Sequence, residues 1–299
     1  HLVSALLLSL TPSLVCADWR AYVGWNDLQE WADINGVTLP DTSTVPVGMS
    51  EAITTKRDSD NSDIKYTGYS PNPTDSQLSD ETITDISKVS VDIYSSHATS
   101  VARLFFGNVS SVCSDVSSVN IYEANNFTSR IQTADASTWA ERVMSHAWKG
   151  SVGGSEGTRI LSARLDATAI DSDTLHIVGI NNGSSNSLPE LLCHSYNAIS
   201  VGISSGNHSR GPVPDGYEGA GRQKPEVVNS LGSSSSATGA TASVATLLRA
   251  HSPNATSVTI KSIILAGADK SKFSDWDNTA TRPIDDIYGA GETNILNSF

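Results

Sequence analysis

The chain has little of what would tie it to several functional classes. Its 299 residues include 3 cysteines and 2 methionines, with 6% aromatic and 17% charged residues. Three cysteines are too few for a disulfide-built scaffold or a four-cysteine zinc site. Lys and Arg number 19 against 32 Asp and Glu, a net charge of -13, and no basic run interrupts that balance. A phosphate backbone or an anionic membrane surface repels such a chain, so neither is expected as a partner. Beyond the first 17 residues no hydrophobic run is long enough to cross a bilayer. What is abundant is small: 47 serines and 22 glycines. The 38% hydrophobic content suffices for a sizeable core, and the charge is too sparse for general disorder.

The leading segment sets the expected compartment. Leu2 to Val15 is apolar, broken by Ser, Thr and Pro, and ends in Val15-Cys16-Ala17 before Asp18. That is the pattern of a signal peptide over residues 1–17, so secretion is expected. The chain opens on His1, and the basic start of such a segment is expected to precede it. Cys113 and Cys193 remain after removal. They either pair in one disulfide or stay as two buried thiols, and spacing alone leaves both open. The Asn-x-Ser/Thr triplets at Asn108, Asn126, Asn207 and Asn254 are the kind that a Ser-rich chain produces by chance.

No repeat or long low-complexity linker divides the rest. We expect a lead-in over residues 18–45 and one domain over 46–299. Tyr66 to Glu81, polar with two prolines, reads as a surface loop. Apolar runs at Val45–Met49, Ser118–Tyr122, His176–Ile180, Ala198–Ile203 and Val258–Leu265 read as strands. Ser95–Phe106, Ala136–Met144, Ser236–Ala250 and a stretch near Leu188 read as helices. Alternation of the two predicts a mostly parallel sheet covered on both faces, a three-layer α/β/α arrangement with ligands at the carboxyl ends of the strands.

The chemistry concentrates in Gly232–Leu248, GSSSSATGATASVATLL. A serine-packed turn runs into a long helix of small residues, and a serine at that junction sits over the helix's positive amino end. The segment resembles the serine motif of the subtilisin-like proteases, Gly-Thr-Ser-Met-Ala-Thr-Pro-His-Val-Ala-Gly followed by Leu-Leu, with Ser235 in the nucleophile's place. SHATSVAR, Ser96–Arg103, resembles the family's His-Gly-Thr-His-Val-Ala-Gly and implies a general base at His97. HIVGINNGS, His176–Ser184, is similar to the strand that carries the oxyanion asparagine and implies that role for Asn182. VMSHAWKG, Val143–Gly150, resembles the strand that lines the specificity pocket, implying substrate contacts from Ala147, Trp148, Lys149 and Gly150. Lys224-Pro225-Glu226-Val227-Val228 and Gly289-Ala290-Gly291 with Asn294 resemble two later family segments. Together the resemblances run in family order from about Val45 to Asn294 and imply a secreted serine endopeptidase acting on protein or peptide.

The acid departs from the family pattern. Pro46-Val47-Gly48-Met49-Ser50-Glu51-Ala52 stands where the family has Val-Ala-Val-Ile-Asp-Thr-Gly, which puts Glu51 in the aspartate position. Asp41, in Asp41-Thr42-Ser43, imitates Asp-Thr-Gly more literally but follows Leu39-Pro40 and not a β run, so Glu51 is the preferred acid. Ser233 and Ser234 replace Gly-Thr, Gly239 replaces a proline, and Ala98 and Asn181 replace glycines. These changes suit either altered specificity or a catalytically inactive binding or structural domain of the same fold. A third reading takes Gly202-Ile203-Ser204-Ser205-Gly206 as the nucleophile elbow of an esterase, although a helix-hostile loop follows it and the later base would be His251. No cofactor is implied. Asp58, Asp60 and Asp63 offer calcium-type oxygens without the turn glycine or distal glutamate of a calcium loop. His146, His176, His194 and His208 lack zinc-binding spacing.

Overall fold

The apolar run after Pro46 becomes the spine of the molecule. The computed structural model describes residues 18–57, 64–91, 93–151, 154–189, 191–213 and 222–299. The leading segment 1–17 and the acidic Asp58, Asp60 and Asp63 lie outside the described residues. In chain order the elements are α1 (Trp19–Tyr22), α2 (Trp25–Asn35), β1 (Val47–Glu51), β2 (Thr54–Arg57), β3 (Ile64–Gly68), β4 (Thr82–Asp85), α3 (Ser96–Phe105), β5 (Ser118–Glu123) and α4 (Ala124–Thr133). There follow β6 (Val143–His146), α5 (Gly154–Asp171), β7 (Leu175–Gly179), β8 (Ile199–Ile203), β9 (Gly211–Pro212), β10 (Gln223–Lys224), β11 (Val227–Asn229), α6 (Ser234–His251), α7 (Ser257–Gly267) and α8 (Ile295–Ser298).

Seven strands form one parallel sheet in the order β11-β8-β7-β6-β1-β5-β4, and β2–β3 and β9–β10 are small antiparallel pairs. The chain leaves β1 toward β4 and β5 on one side and later fills β6, β7, β8 and β11 on the other. The order therefore reverses around β1, where open α/β sheets leave a crevice beyond the strands' carboxyl ends.

The alternation of strand side chains decides what each face carries. Val47 and Met49 of β1, Val143 of β6 and Leu175 and Ile177 of β7 join the core cluster that holds Ala98, Val101 and Ala102 of α3 and Ala237, Val244 and Leu248 of α6. Met144 and Val178 point the other way, into a second cluster with Phe127 and Ile131 of α4 and Leu161 and Leu165 of α5. Helices thus cover both faces, giving a three-layer α/β/α architecture. Trp19, Val23 and Leu28 of the 18–45 segment pack into the first cluster, and the Val23 carbonyl accepts from Ile295 N–H at 2.7 Å.

Tertiary packing overrides local preference at several places. Val258–Leu265, β-branched and expected as a strand, lies within α7, because Thr256 caps it at Thr259 N–H and Ile260 and Ile264 share one buried helical stripe. Ala136–Met144, expected as a helix, contains a single 3-10 turn at Ala136–Thr138 and then enters β6. No helix forms near Leu188 among the described residues. The loop expected at 66–81 begins inside β3 and drives Tyr69 and Leu78 into the core, both fully buried. α4 and α5 were not legible as helices; Glu123 caps α4 by accepting from Asn126 N–H at 2.9 Å.

Candidate active site

Residues at the carboxyl end of β1 take opposite faces. Glu51 follows Val47 and Met49 toward α3, while Ser50 points to the α4–α5 side. α3 starts at a serine cap, Ser95 Oγ accepting from Ala98 N–H at 3.1 Å, so His97 sits in its first turn. There its Nδ1 lies 2.9 Å from Glu51 Oε2. The carboxylate is 2% exposed and the imidazole 41% exposed, so one ring edge faces solvent while the other is held from below. Asp41, the rival acid, is exposed and caps the turn at Thr42–Thr44 through Ser43 N–H at 2.8 Å.

Burial pushes the Glu51 carboxyl above its ordinary range while its bond to His97 pulls the other way. That same bond raises the His97 imidazole, against a smaller opposing effect of burial. The two shifts have different leading causes: burial for Glu51, whose Oε1 has no hydrogen-bond partner among the described residues, and the bond to the carboxylate for His97.

α6 approaches from the same face. Ser233 caps it, Oγ accepting from Ser236 N–H at 3.2 Å, which places Ser235 in the first turn, where backbone N–H groups have no acceptor within the helix. Close packing makes this approach depend on glycine. A Cβ at Gly179, the end of β7, would lie 2.8 Å from Thr238 Oγ1, and one at Gly239 would lie 2.7 Å from the Val101 carbonyl oxygen of α3. Gly239, which replaces the family's proline, thus lets α6 lie against the helix that carries His97.

Asn182 lies just beyond β7, and its Oδ1 accepts from Ser234 N–H at 2.9 Å. Fixing the oxygen on α6 leaves the amide N–H groups as the available donors. Ser235 and Asn182 border a pocket of about 120 Å³ whose walls include Trp148, Lys149, Ile180 and Asn181. Lys149 Nζ donates to Asn181 Oδ1 at 3.2 Å, which ties the two walls together. Gly150 lies beside this pocket, where an added Cβ would meet the Trp148 ring at 3.2 Å. Ser235 Oγ donates to the Ala147 carbonyl at 3.3 Å and makes no hydrogen bond to His97 among the described residues.

Behind the pocket wall runs a buried polar chain with no motif in the sequence. Trp148 Nε1–H donates to Ser50 Oγ at 2.7 Å; Ser50 Oγ is 2.6 Å from His146 Nδ1; His146 Nε2 is 3.0 Å from His176 Nδ1; His176 Nε2 is 2.7 Å from Thr168 Oγ1, which donates to the Leu165 carbonyl. An indole only donates, so the arrangement that uses every donor runs in one direction from Trp148 to Leu165. Each histidine is then neutral with its proton on Nε2. Burial lowers both, His176 to about 3.

The other sequence candidates do not converge here. Ser204 Oγ donates to Glu292 Oε2 in a turn with no following helix, and His251 lies at the far end of α6 against Phe299. The elbow reading is thereby overturned. Cys113 and Cys193 are free, buried in different core clusters on opposite faces of the sheet, and burial pushes each thiol up to about 12. Among the described residues no three His, Cys, Asp or Glu side chains cluster to hold a metal ion.

No protein-family model matches this sequence, and no curated protein does either. Solved structures are similar to it over most of its length. MycP1 with its N-terminal propeptide removed superposes with a TM-score of 0.63 at 12% identity, covering 94% of this chain and 96% of that one. The PatG macrocyclase in complex with peptide gives 0.59 at 13%, covering 92% and 94%. A cold-adapted subtilisin-like serine proteinase gives 0.56 at 14%, covering 85% and 88%. The chain has the fold of the subtilisin-like serine proteases.

Proposed function

We propose that the chain is a secreted serine endopeptidase with Ser235 as nucleophile, His97 as general base and then acid, and Glu51 as the carboxylate that orients His97. The observation that carries this reading is the buried Glu51 carboxylate 2.9 Å from His97 Nδ1, on the helix that packs against the one bearing Ser235. A carboxylate on Nδ1 selects the tautomer whose Nε2 lone pair can take the serine proton. Ser235 Oγ then bonds to the substrate carbonyl carbon as its proton passes to Nε2. The resulting oxyanion meets the Asn182 amide and the Ser235 backbone N–H. Collapse expels the amine, which takes the proton from His97, and water hydrolyses the acyl-enzyme by the same steps. No step calls for a cofactor. Ala147 to Gly150 offers an edge for extended substrate backbone, and the peptide bound to the PatG macrocyclase supports peptide as the substrate class. Secretion rests on the signal-like pattern of residues 1–17.

The hydrogen bond from Ser235 to Ala147 favours a second reading, a subtilisin-like domain that binds without turnover. Catalytic hydrogen bonds often tighten only with substrate present, which keeps the peptidase reading first. Covalent labelling with a fluorophosphonate separates the two, because only a base-activated serine reacts quickly. We expect one adduct, on Ser235, lost in Ser235→Ala and in His97→Ala. Folded protein that stays unlabelled supports the binding domain.

A further inference from the structure

We propose that the pocket beside Ser235 selects a substrate side chain bearing a carboxylate, with Lys149 as its counter-charge; this specifies the substrate class of the site and rests on the peptidase reading. Among the described residues Lys149 is the one charged side chain lining the pocket. Its ammonium is bound to a neutral amide oxygen, Asn181 Oδ1, and no carboxylate among the described residues lies within ion-pair distance. Lys224, Lys261 and Lys272 each pair with a glutamate, whereas the exposed Lys149, like Lys88 and Lys270, has no such partner among the described residues and is the one of these three that lines the pocket beside Ser235. An ammonium has three donors. Asn181 takes one, which leaves two for an incoming carboxylate, and among the described residues no carboxylate compensates the charge.

The geometry also fixes where that charge stands. Lys149 leaves the end of β6 and reaches Asn181 beyond β7, so its head spans the pocket between the two strand ends. Its neighbour Trp148 cannot swing aside without breaking its bond to Ser50 and the buried histidine chain behind it. An acidic substrate side chain gains two charge-assisted hydrogen bonds on entering. A basic one meets a like charge, and an apolar one must displace the lysine's hydration without replacing it.

The test uses chromogenic peptides identical except at the residue whose carbonyl is attacked: Glu, Asp, Ala, Leu or Lys. We expect kcat/KM for Glu or Asp to exceed that for Ala and Leu by about fivefold or more, with Lys lowest, and the preference to shrink in about 0.5 M NaCl as the charges are screened. Lys149→Glu should invert the order of the Glu and Lys peptides. An acid preference that persists undiminished in Lys149→Met, a parent chain that prefers Ala or Leu, or a ranking unchanged by Lys149→Glu overturns the proposal. Binding of the amidated peptides to the Ser235→Ala protein, read by fluorescence anisotropy, tests the pocket without chemistry. Acid-selective binding with no turnover by the unmutated chain keeps this inference and discards the peptidase reading. Turnover without acid selectivity does the reverse.

Discussion

At the residue scale the proposed role of Glu51 as orienting acid depends on where the strand places it. Glu51 reaches His97 Nδ1 at hydrogen-bond distance while its other oxygen has no partner among the described residues, so in the proposed triad that one bond would do the orienting. The sign of the coupling follows. Because Glu51 holds His97 above its ordinary value of 6.5, the imidazole loses its proton only at higher pH, and the neutral form that the proposed mechanism requires appears above that point. The same raised pKa means the pair's contribution to stability is full below the unfolded value and is lost as pH rises through the folded one. We expect an NMR titration of His97 to give a midpoint above 6.5 in the unmutated chain. In Glu51→Gln, where burial acts alone, it should fall to 6.5 or below. Turnover in that variant should drop on the order of ten-thousandfold, the scale of the wrong-tautomer effect in serine proteases. An unmoved midpoint would separate Glu51 from the base.

At the element scale, three strands and a helix are joined by the chain from Trp148 through Ser50, His146 and His176 to Thr168. Because those strands are adjacent and in register, Ser50 of β1 pairs with His146 of β6, and Met144 of β6 pairs with His176 of β7. The polar groups share a face with Phe127, which packs on the His146 ring at 4.6 Å between centroids. Nitrogen chemical shifts should show both histidines neutral and protonated at Nε2 from pH 7 down to about 5, given the burial that lowers them. Their folded pKa values lie below the unfolded ones, so the unfolded chain binds more protons under pH 6.5 and stability falls there, by about 1.4 kcal/mol per pH unit for each group. Thermal melts from pH 7 to 5 check the slope. A charged imidazole at either position above pH 5 would break the one-way chain.

For the whole molecule, the far side of the sheet is locked by another buried charge cluster. Glu226 precedes β11 and accepts from Lys224 and Lys261, each at 2.8 Å, while its second oxygen accepts from Ser200 N–H and Oγ at 2.6 and 2.9 Å. Burial works to raise Glu226, but the two lysines outweigh it and hold the carboxyl at about 2. The folded pKa is depressed, so this stability is present above the unfolded value near 4.5 and is lost as pH falls toward 2. Lys224 is 1% exposed, and Glu226→Gln leaves it buried without a counter-charge. We expect that variant to lose roughly 3–5 kcal/mol of unfolding free energy at pH 7 in urea melts, with the loss shrinking below pH 4. A variant as stable as the parent would show that the cluster contributes nothing net.

What could be read along the chain and what could not divide by the range of the forces involved. The strands at Val45–Met49, His176–Ile180 and Ala198–Ile203 and the helices around His97 and Ser235 were legible because apolar period, serine caps and small-residue runs are local signals. So was the alternation that predicts a parallel sheet with covered faces. Val258–Leu265 was not, since its helical state is decided by which stripe finds the core and not by its β-branched residues. The meeting of Glu51 with His97 and the exclusion of Asp41 needed the strand's face relative to α3, a one-residue matter of register. The separation of Cys113 from Cys193, which pack on opposite faces of the sheet, was not legible either, and the tie between Lys149 and Asn181 and the buried histidine chain bring together residues as far as 98 positions apart. The sequence by itself determined the elements and the residue types at the strand ends; only tertiary packing decided which of them touch, because hydrogen bonds and buried charges act over a few ångströms that the linear spacing does not encode.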